Sequence, residues 1–272
     1  MINAGDKYQF DGTILIGFFE NWFAANVNMG SMDADFARQL ALPCYMFDHA
    51  KGFSDITKWL AYNFGGHITE NRPAGFRWKH MHLSPPDFVG PMNHARGGLK
   101  TVLHRGIWNR VGKLLEQGPE SNLCDEWDTV AGRYFAELVR IDAYPLETIF
   151  PKHSMNTILE RLEKFKLGDI GDCFCCEIDW RHHITKSIEN TRTNFHGLCI
   201  DCMDSSKPKR GSTDEDYWMH LGTVGGRWDT HCRVKHGQQT WYVSWLGRSE
   251  HRQKLLNKAN EIRAEIRARL PY

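Results

Sequence analysis

The chain has 272 residues, with 34 Lys plus Arg against 33 Asp plus Glu and 41% hydrophobic residues. That length suits one large domain or two small ones, and neither the apolar nor the charged fraction is low enough for intrinsic disorder. A formal net charge of +1 excludes a broad basic field of the kind that gathers nucleic acid or acidic lipid.

Near the start, the apolar run Ile14 to Phe19 is only six residues long, follows Asp6 and Asp11, and ends at Glu20, which makes a poor secretory signal. No run approaches the roughly 20 apolar residues of a membrane span. The expected setting is intracellular, in cytoplasm or nucleus, with no membrane partner and with thiols reduced.

Helical spacing dominates the first 165 residues. Phe36, Leu40, Cys44 and Phe47 form one apolar face, and Phe53, Ile56, Leu60 and Phe64 form a second, so two packed helices are expected with a joint near Asp48 to Gly52. Pro43 is expected to kink the first helix or to mark its start. The stretch from His67 to Pro91 reads as an irregular connection, and Gly97-Gly98 as a break before a helix carrying Leu99, Leu103, Ile107, Val111 and Leu114. A further helix carries Trp127, Val130, Tyr134 and Leu138 and should stop before Pro145. Ser154 is placed to cap a helix with Met155, Ile158, Leu159 and Leu162 inward. Gly168 and Gly171 then mark a boundary. Beyond it, Trp180 to Phe195 reads as a helix, Thr240 to Leu246 as a strand, and Leu255 to Ile266 as a closing amphipathic helix. The expected fold class is mainly α: a helical domain over 1–168, then a small irregular α+β region over 169–272, stabilised by zinc and ending in a helix.

The distinctive chemistry lies in that second region. Six of the eight cysteines and six of the fourteen histidines fall between Cys173 and His236. Cys173 and Cys176 form one Cys-x2-Cys pair, Cys199 and Cys202 another, with 22 residues between the pairs. Two intervening residues let one turn present both thiolates to a single tetrahedral ion, and the metal substitutes for the core that a loop-rich segment lacks. Cys232 and His236 form a third pair with three residues between. Cys175, His182, His183, His196 and His231 enlarge the supply beyond four ligands. Three arrangements compete: one ion on the two Cys-x2-Cys pairs; two ions, with Cys175 and His182 or His183 joining Cys232 and His236; or one ion on Cys199, Cys202, Cys232 and His236. One or two zinc ions per chain are expected.

Several segments, MFDHAKGFSDITKWLAYNFGGHITE, HARGGLKTVLHRGIW, IDAYPLETIFPKHSM, FHGLCIDCM and HCRVKHGQQTWYVSWLGR, resemble the region that follows the BTB fold in fungal BTB/POZ-domain-containing proteins. They spread from about Phe47 to Arg248. The resemblance implies a helical region followed by a cysteine-rich tail carrying Cys199, Cys202, Cys232 and His236.

The sequence holds no HExxH, GxSxG, glycine-rich phosphate loop or dinucleotide fingerprint. His80 and His82, Glu177 and Asp179, and the thiols Cys44 and Cys124 are the residues an enzyme would have to use, and no catalytic residue can be named. Lys207, Lys209, Arg210, Arg192, Arg227 and Arg233 are interleaved with Asp201, Asp204, Asp214, Glu215 and Asp216, which argues against nucleic acid. The expected function is a zinc-containing protein-interaction or scaffold module with a protein partner, a homo-oligomer being one form of that partnership. The alternative is a zinc enzyme with a cleft between its helical and zinc-binding parts.

Overall fold

The computed structural model describes residues 12–70, 85, 88–117, 127–167, 179–201 and 233–234. Among them the chain is mainly helical and contains no strand. The helices are α1 (Gly12–Asn26), α2 (Ala34–Met46), α3 (Ala50–Asn63), α4 (Val89–Gln117), α5 (Trp127–Arg140), α6 (Leu146–Ile149), α7 (Met155–Leu162) and α8 (Trp180–Arg192). No helix among the described residues is long and apolar enough to cross a membrane. The boundary at Gly168 to Gly171, the strand at Thr240 to Leu246 and the closing helix lie outside the described residues.

The chain divides into two compact units. The first takes its described residues from 12–60, 69–70, 85, 88–92, 196–201 and 233–234, and the second from 61–68, 93–117, 127–167 and 179–195.

In the first unit, α2 and α3 are the two expected helices. Asp33 caps α2 by accepting from the Phe36 amide at 2.8 Å. Pro43 does not mark the start of α2, which begins nine residues earlier. It sits in the last turn, where its missing N–H costs one bond while the Phe47 amide still reaches the Pro43 carbonyl at 2.9 Å. The buried face of α2 is Ala37, Leu40, Ala41 and Cys44, and that of α3 includes Phe53, Ile56 and Leu60. Burial pushes the Cys44 thiol far above the ordinary thiol range, so it is a core side chain and no nucleophile. Spacing alone does not single out helix α1, because its first half is a near-continuous apolar run. It docks through Phe19, which is buried and stacks on Phe47 at 4.8 Å.

In the second unit, α4 overturns the expected break at Gly97-Gly98: the helix runs through both glycines and through Pro91. Pro91 is the third residue of α4, inside the first turn, where no intrahelical donor is required. Each glycine costs about 1 kcal/mol of propensity. Arg96, Leu99, Leu103, Ile107 and Val111 are all buried in this unit, and each apolar side chain among them gains about 1.5–3 kcal/mol. Packing therefore outweighs propensity.

Tyr134 of α5 donates to the Ile107 carbonyl of α4 at 2.9 Å, and its ring lies 4.7 Å from that of Trp180 and 5.5 Å from that of Phe165. Ser154 caps α7, accepting from the Thr157 amide at 3.1 Å, as the sequence predicts. Asp179 caps α8 through the His182 amide at 2.7 Å. Tyr62 ends α8: its hydroxyl donates to the Thr191 carbonyl at 2.8 Å and accepts from the Phe195 amide at 3.2 Å, and burial pushes it up to about 12.

Glu137 is a buried carboxylate of this unit. It accepts from Arg140 at 2.6 and 2.7 Å and from the Lys166 amide at 2.9 Å. The Arg140 hydrogen bonds, joined by the Lys166 amide, hold its pKa below the ordinary glutamate range despite burial. A depressed folded pKa gives stability that is fully present above the unfolded value, about 4.3, and is lost as pH falls through the folded value. Glu137→Gln should accordingly destabilise by about 1–2 kcal/mol at pH 7. Urea melts should show the two proteins converging as the pH drops below about 4, and a difference that stays constant to acid pH would contradict the assignment.

Candidate metal centre

The segment from His196 to Cys199 is anchored on α3 in the first unit. The Ser54 hydroxyl donates to the His196 carbonyl at 2.9 Å, and the Leu198 amide donates to the Thr57 hydroxyl at 2.8 Å. That hydroxyl in turn donates to the Phe53 carbonyl at 2.7 Å, so the α3 backbone fixes its direction. Between the two anchors, Gly197 takes a φ of 100° and lies against the Ser54 backbone, where an added Cβ would stand 2.0 Å from the Ser54 carbonyl oxygen. Only glycine satisfies both demands. Leu198, Cys199 and Ile200 follow and are all buried. Thus α3 carries the loop that holds Cys199.

A second feature is built on Arg233. Its backbone amide donates to Asp201 Oδ2 at 2.7 Å, and its Nε and Nη2 donate to Asp201 Oδ1 at 2.9 and 2.7 Å. The other side of the guanidinium grips Asp48, with Nη1 to Oδ2 at 2.7 Å and Nη2 to Oδ1 at 2.6 Å. Nη1 also reaches the Asp48 carbonyl at 3.2 Å. Hydrogen bonds to Asp48 first and Asp201 second raise the Arg233 pKa far beyond its ordinary value, so the fork is permanently charged. Asp48 follows α2 at a φ of 52°, a left-handed conformation that aspartate tolerates better than most residues. Val234, next in the chain, is buried. All three fork residues are partly exposed, and exposed ion pairs contribute only about 0–1 kcal/mol each. Their value is geometric: a planar fork fixes two carboxylates relative to one another.

Of the expected ligands, Cys199 is described and buried; Cys173, Cys175, Cys176, Cys202, Cys232 and His236 lie outside the described residues. So do His80, His82, His231, Cys124, Glu177, Lys207, Lys209, Arg210 and Arg227. Among the described residues no group of three or more His, Cys, Asp or Glu could hold a metal ion. His182 is exposed on α8, and burial lowers the pKa of His183. Arg192 pairs with Glu163 at 2.7 Å. Asp48, Ser54, Thr57 and Gly197 escaped the sequence reading. The signal for Gly197 was its place two residues before a cysteine pair; Asp48 carried none, since its partner lies 185 positions away.

No protein-family model, curated protein or solved structure matches the chain.

Proposed function

We propose that the chain is a structural-zinc protein in which Cys199, Cys202, Cys232 and His236 hold one ion, and that it serves as a protein-interaction or scaffold module. The observation that carries this reading is the bonding of Arg233 to Asp201. Cys202 follows Asp201 directly and Cys232 directly precedes Arg233. Consecutive α-carbons are about 3.8 Å apart, so a backbone-to-carboxylate bond of 2.7 Å joins immediate neighbours of two ligands from distant stretches. The donor chemistry agrees. Three thiolates and an imidazole form a closed tetrahedral set of the kind that holds zinc for folding and leaves no open position for water. Bound there, zinc would supply cross-linking free energy on the order of 10 kcal/mol, which dwarfs the exposed ion pairs around it.

The interaction part of the reading is supported by apolar surface. Phe18 is 53% exposed and Trp22 is 36% exposed, one helical turn apart on α1. Surface aromatics so placed suit a protein partner better than water.

Elemental analysis of the protein purified without added metal should find at least one zinc per chain, and a strong chelator should lower its melting temperature by 10 °C or more (about 3 kcal/mol or above). Protein that is metal-free as isolated and melts identically with and without zinc would sink the proposal.

A further inference from the structure

The Arg233 fork joins two places that have no covalent reason to meet: the Asp48 corner that ends α2 and precedes α3, and Asp201, which lies between Cys199 and Cys202 in the sequence. We infer that Asp48, Arg233 and Asp201 form a coupling element, through which zinc occupancy stabilises the α2–α3 corner and, reciprocally, a carboxylate that is no metal ligand raises zinc affinity. The inference rests on the zinc reading above and adds positioning residues to it.

Arg233 makes five hydrogen bonds through its guanidinium and one through its backbone amide, all to these two aspartates. A residue adjacent to Cys232 is thereby fixed in rotation and translation against a residue adjacent to Cys202. Fixing ligand-bearing segments before the ion arrives reduces the ordering cost of binding, the same way that partners of ligating side chains tune metal sites elsewhere, at about 10–100-fold in affinity. The Asp48 side of the fork supplies the immobile end. Its backbone is pinned: the Asp48 amide donates to the Tyr45 carbonyl at 3.2 Å and the His49 amide to the Cys44 carbonyl at 2.8 Å. His49 packs its ring 4.6 Å from Phe23 and donates no freedom to the corner, its Nδ1 accepting from the Gly52 amide at 3.0 Å. The fork is therefore held at a surface corner whose neighbours Phe47 and Phe53, with Phe19, are buried. Because linkage is reciprocal, whatever Asp48 adds to zinc binding, zinc must return to the corner.

The test is zinc affinity by chelator competition on the full chain. Asp48→Asn is the primary variant, since asparagine accepts the same left-handed backbone and removes only the charge. Arg233→Lys keeps the charge and loses the fork. Each is expected to weaken zinc binding by about tenfold, and the double variant should be no weaker than Arg233→Lys alone. Asp142→Asn is the control: Asp142 also sits after a helix at a φ of 54°, gripped by Arg161 at 2.6 Å, in the other unit, and its substitution should leave zinc affinity unchanged. Hydrogen exchange should show the amides of His49 and Phe53 losing protection on zinc removal in the wild type and losing less in Asp48→Asn. A wild type that binds no zinc overturns the zinc reading itself. A wild type that binds zinc, with both single variants within twofold of it or the double variant additive, overturns the coupling alone.

Discussion

Gly197→Ala is expected to lower the melting temperature by about 10 °C and the unfolding free energy by about 3–4 kcal/mol. Three costs combine. A left-handed φ of 100° costs an alanine about 1–2 kcal/mol. Its Cβ would stand 2.0 Å from the Ser54 carbonyl oxygen and 2.7 Å from Ser54 Oγ, distances that only a backbone shift can relieve. Such a shift breaks the bonds from Ser54 to His196 and from Leu198 to Thr57, each worth about 1 kcal/mol. A total of this size is a large share of the 5–15 kcal/mol that stabilises a typical domain. Thr57→Val removes the Leu198 acceptor without a clash and should cost less, about 1–2 kcal/mol. Urea melts of the two variants test the order. Equal or negligible effects would mean that α3 does not carry the Cys199 loop.

Arg96→Met is expected to destabilise the second unit by about 3–5 kcal/mol. Arg96 is a buried cation, 2% exposed. Its Nη1 donates to the Phe64 carbonyl and to the Ala61 carbonyl, the latter at 3.2 Å, at the end of α3. The guanidinium lies 4.9 Å from the Phe150 ring centroid and 5.9 Å from that of Phe64. Burial lowers its pKa to about 10, which still leaves it protonated at neutral pH. The cation thus answers the negative end of the α3 dipole, and the two rings replace part of the lost hydration. Methionine fills similar volume but leaves two carbonyls without a donor, at about 1–3 kcal/mol each. Arg96→Lys should fall between, since an ammonium cannot span both carbonyls while lying flat between rings. Denaturant melts within 1 kcal/mol of the wild type for Arg96→Met would show that the buried charge adds nothing.

The helices with one apolar face were legible because burial and spacing agree in them. Leu40 and Cys44, Ile56 and Leu60, Tyr134 and Leu138, and Ile158 and Leu162 are all buried where the spacing puts them. The caps at Ser154 and Asp33 followed from hydroxyl and carboxylate chemistry at a helix start, although only the first was foreseen. Local signals misled where tertiary burial outweighed them. Gly97-Gly98 reads as a stop, yet the buried row from Arg96 to Val111 holds α4 together. In α1, Ile16, Phe18, Phe19, Trp22 and Phe23 share one face, but the near-continuous apolar run from Ile14 to Phe19 hides that spacing in the sequence. For the proposed zinc site, the candidate ligands and their spacing are in the sequence, but the choice among arrangements is not. What favours one of them is a contact between Asp201 and Arg233, 32 positions apart, together with a carboxylate at Asp48 that no motif links to cysteine chemistry. Long-range hydrogen bonds leave no periodic trace in a single sequence.

The central claim, that Cys199 and Cys202 share one ion with Cys232 and His236, is tested most directly by zinc X-ray absorption on protein in which Cys173, Cys175 and Cys176 are replaced by serine. One zinc per chain with three sulfur neighbours and one nitrogen neighbour is the expected result. Loss of zinc from that protein, or a shell with fewer than three sulfurs, would contradict the claim and return the metal to the Cys173 pair.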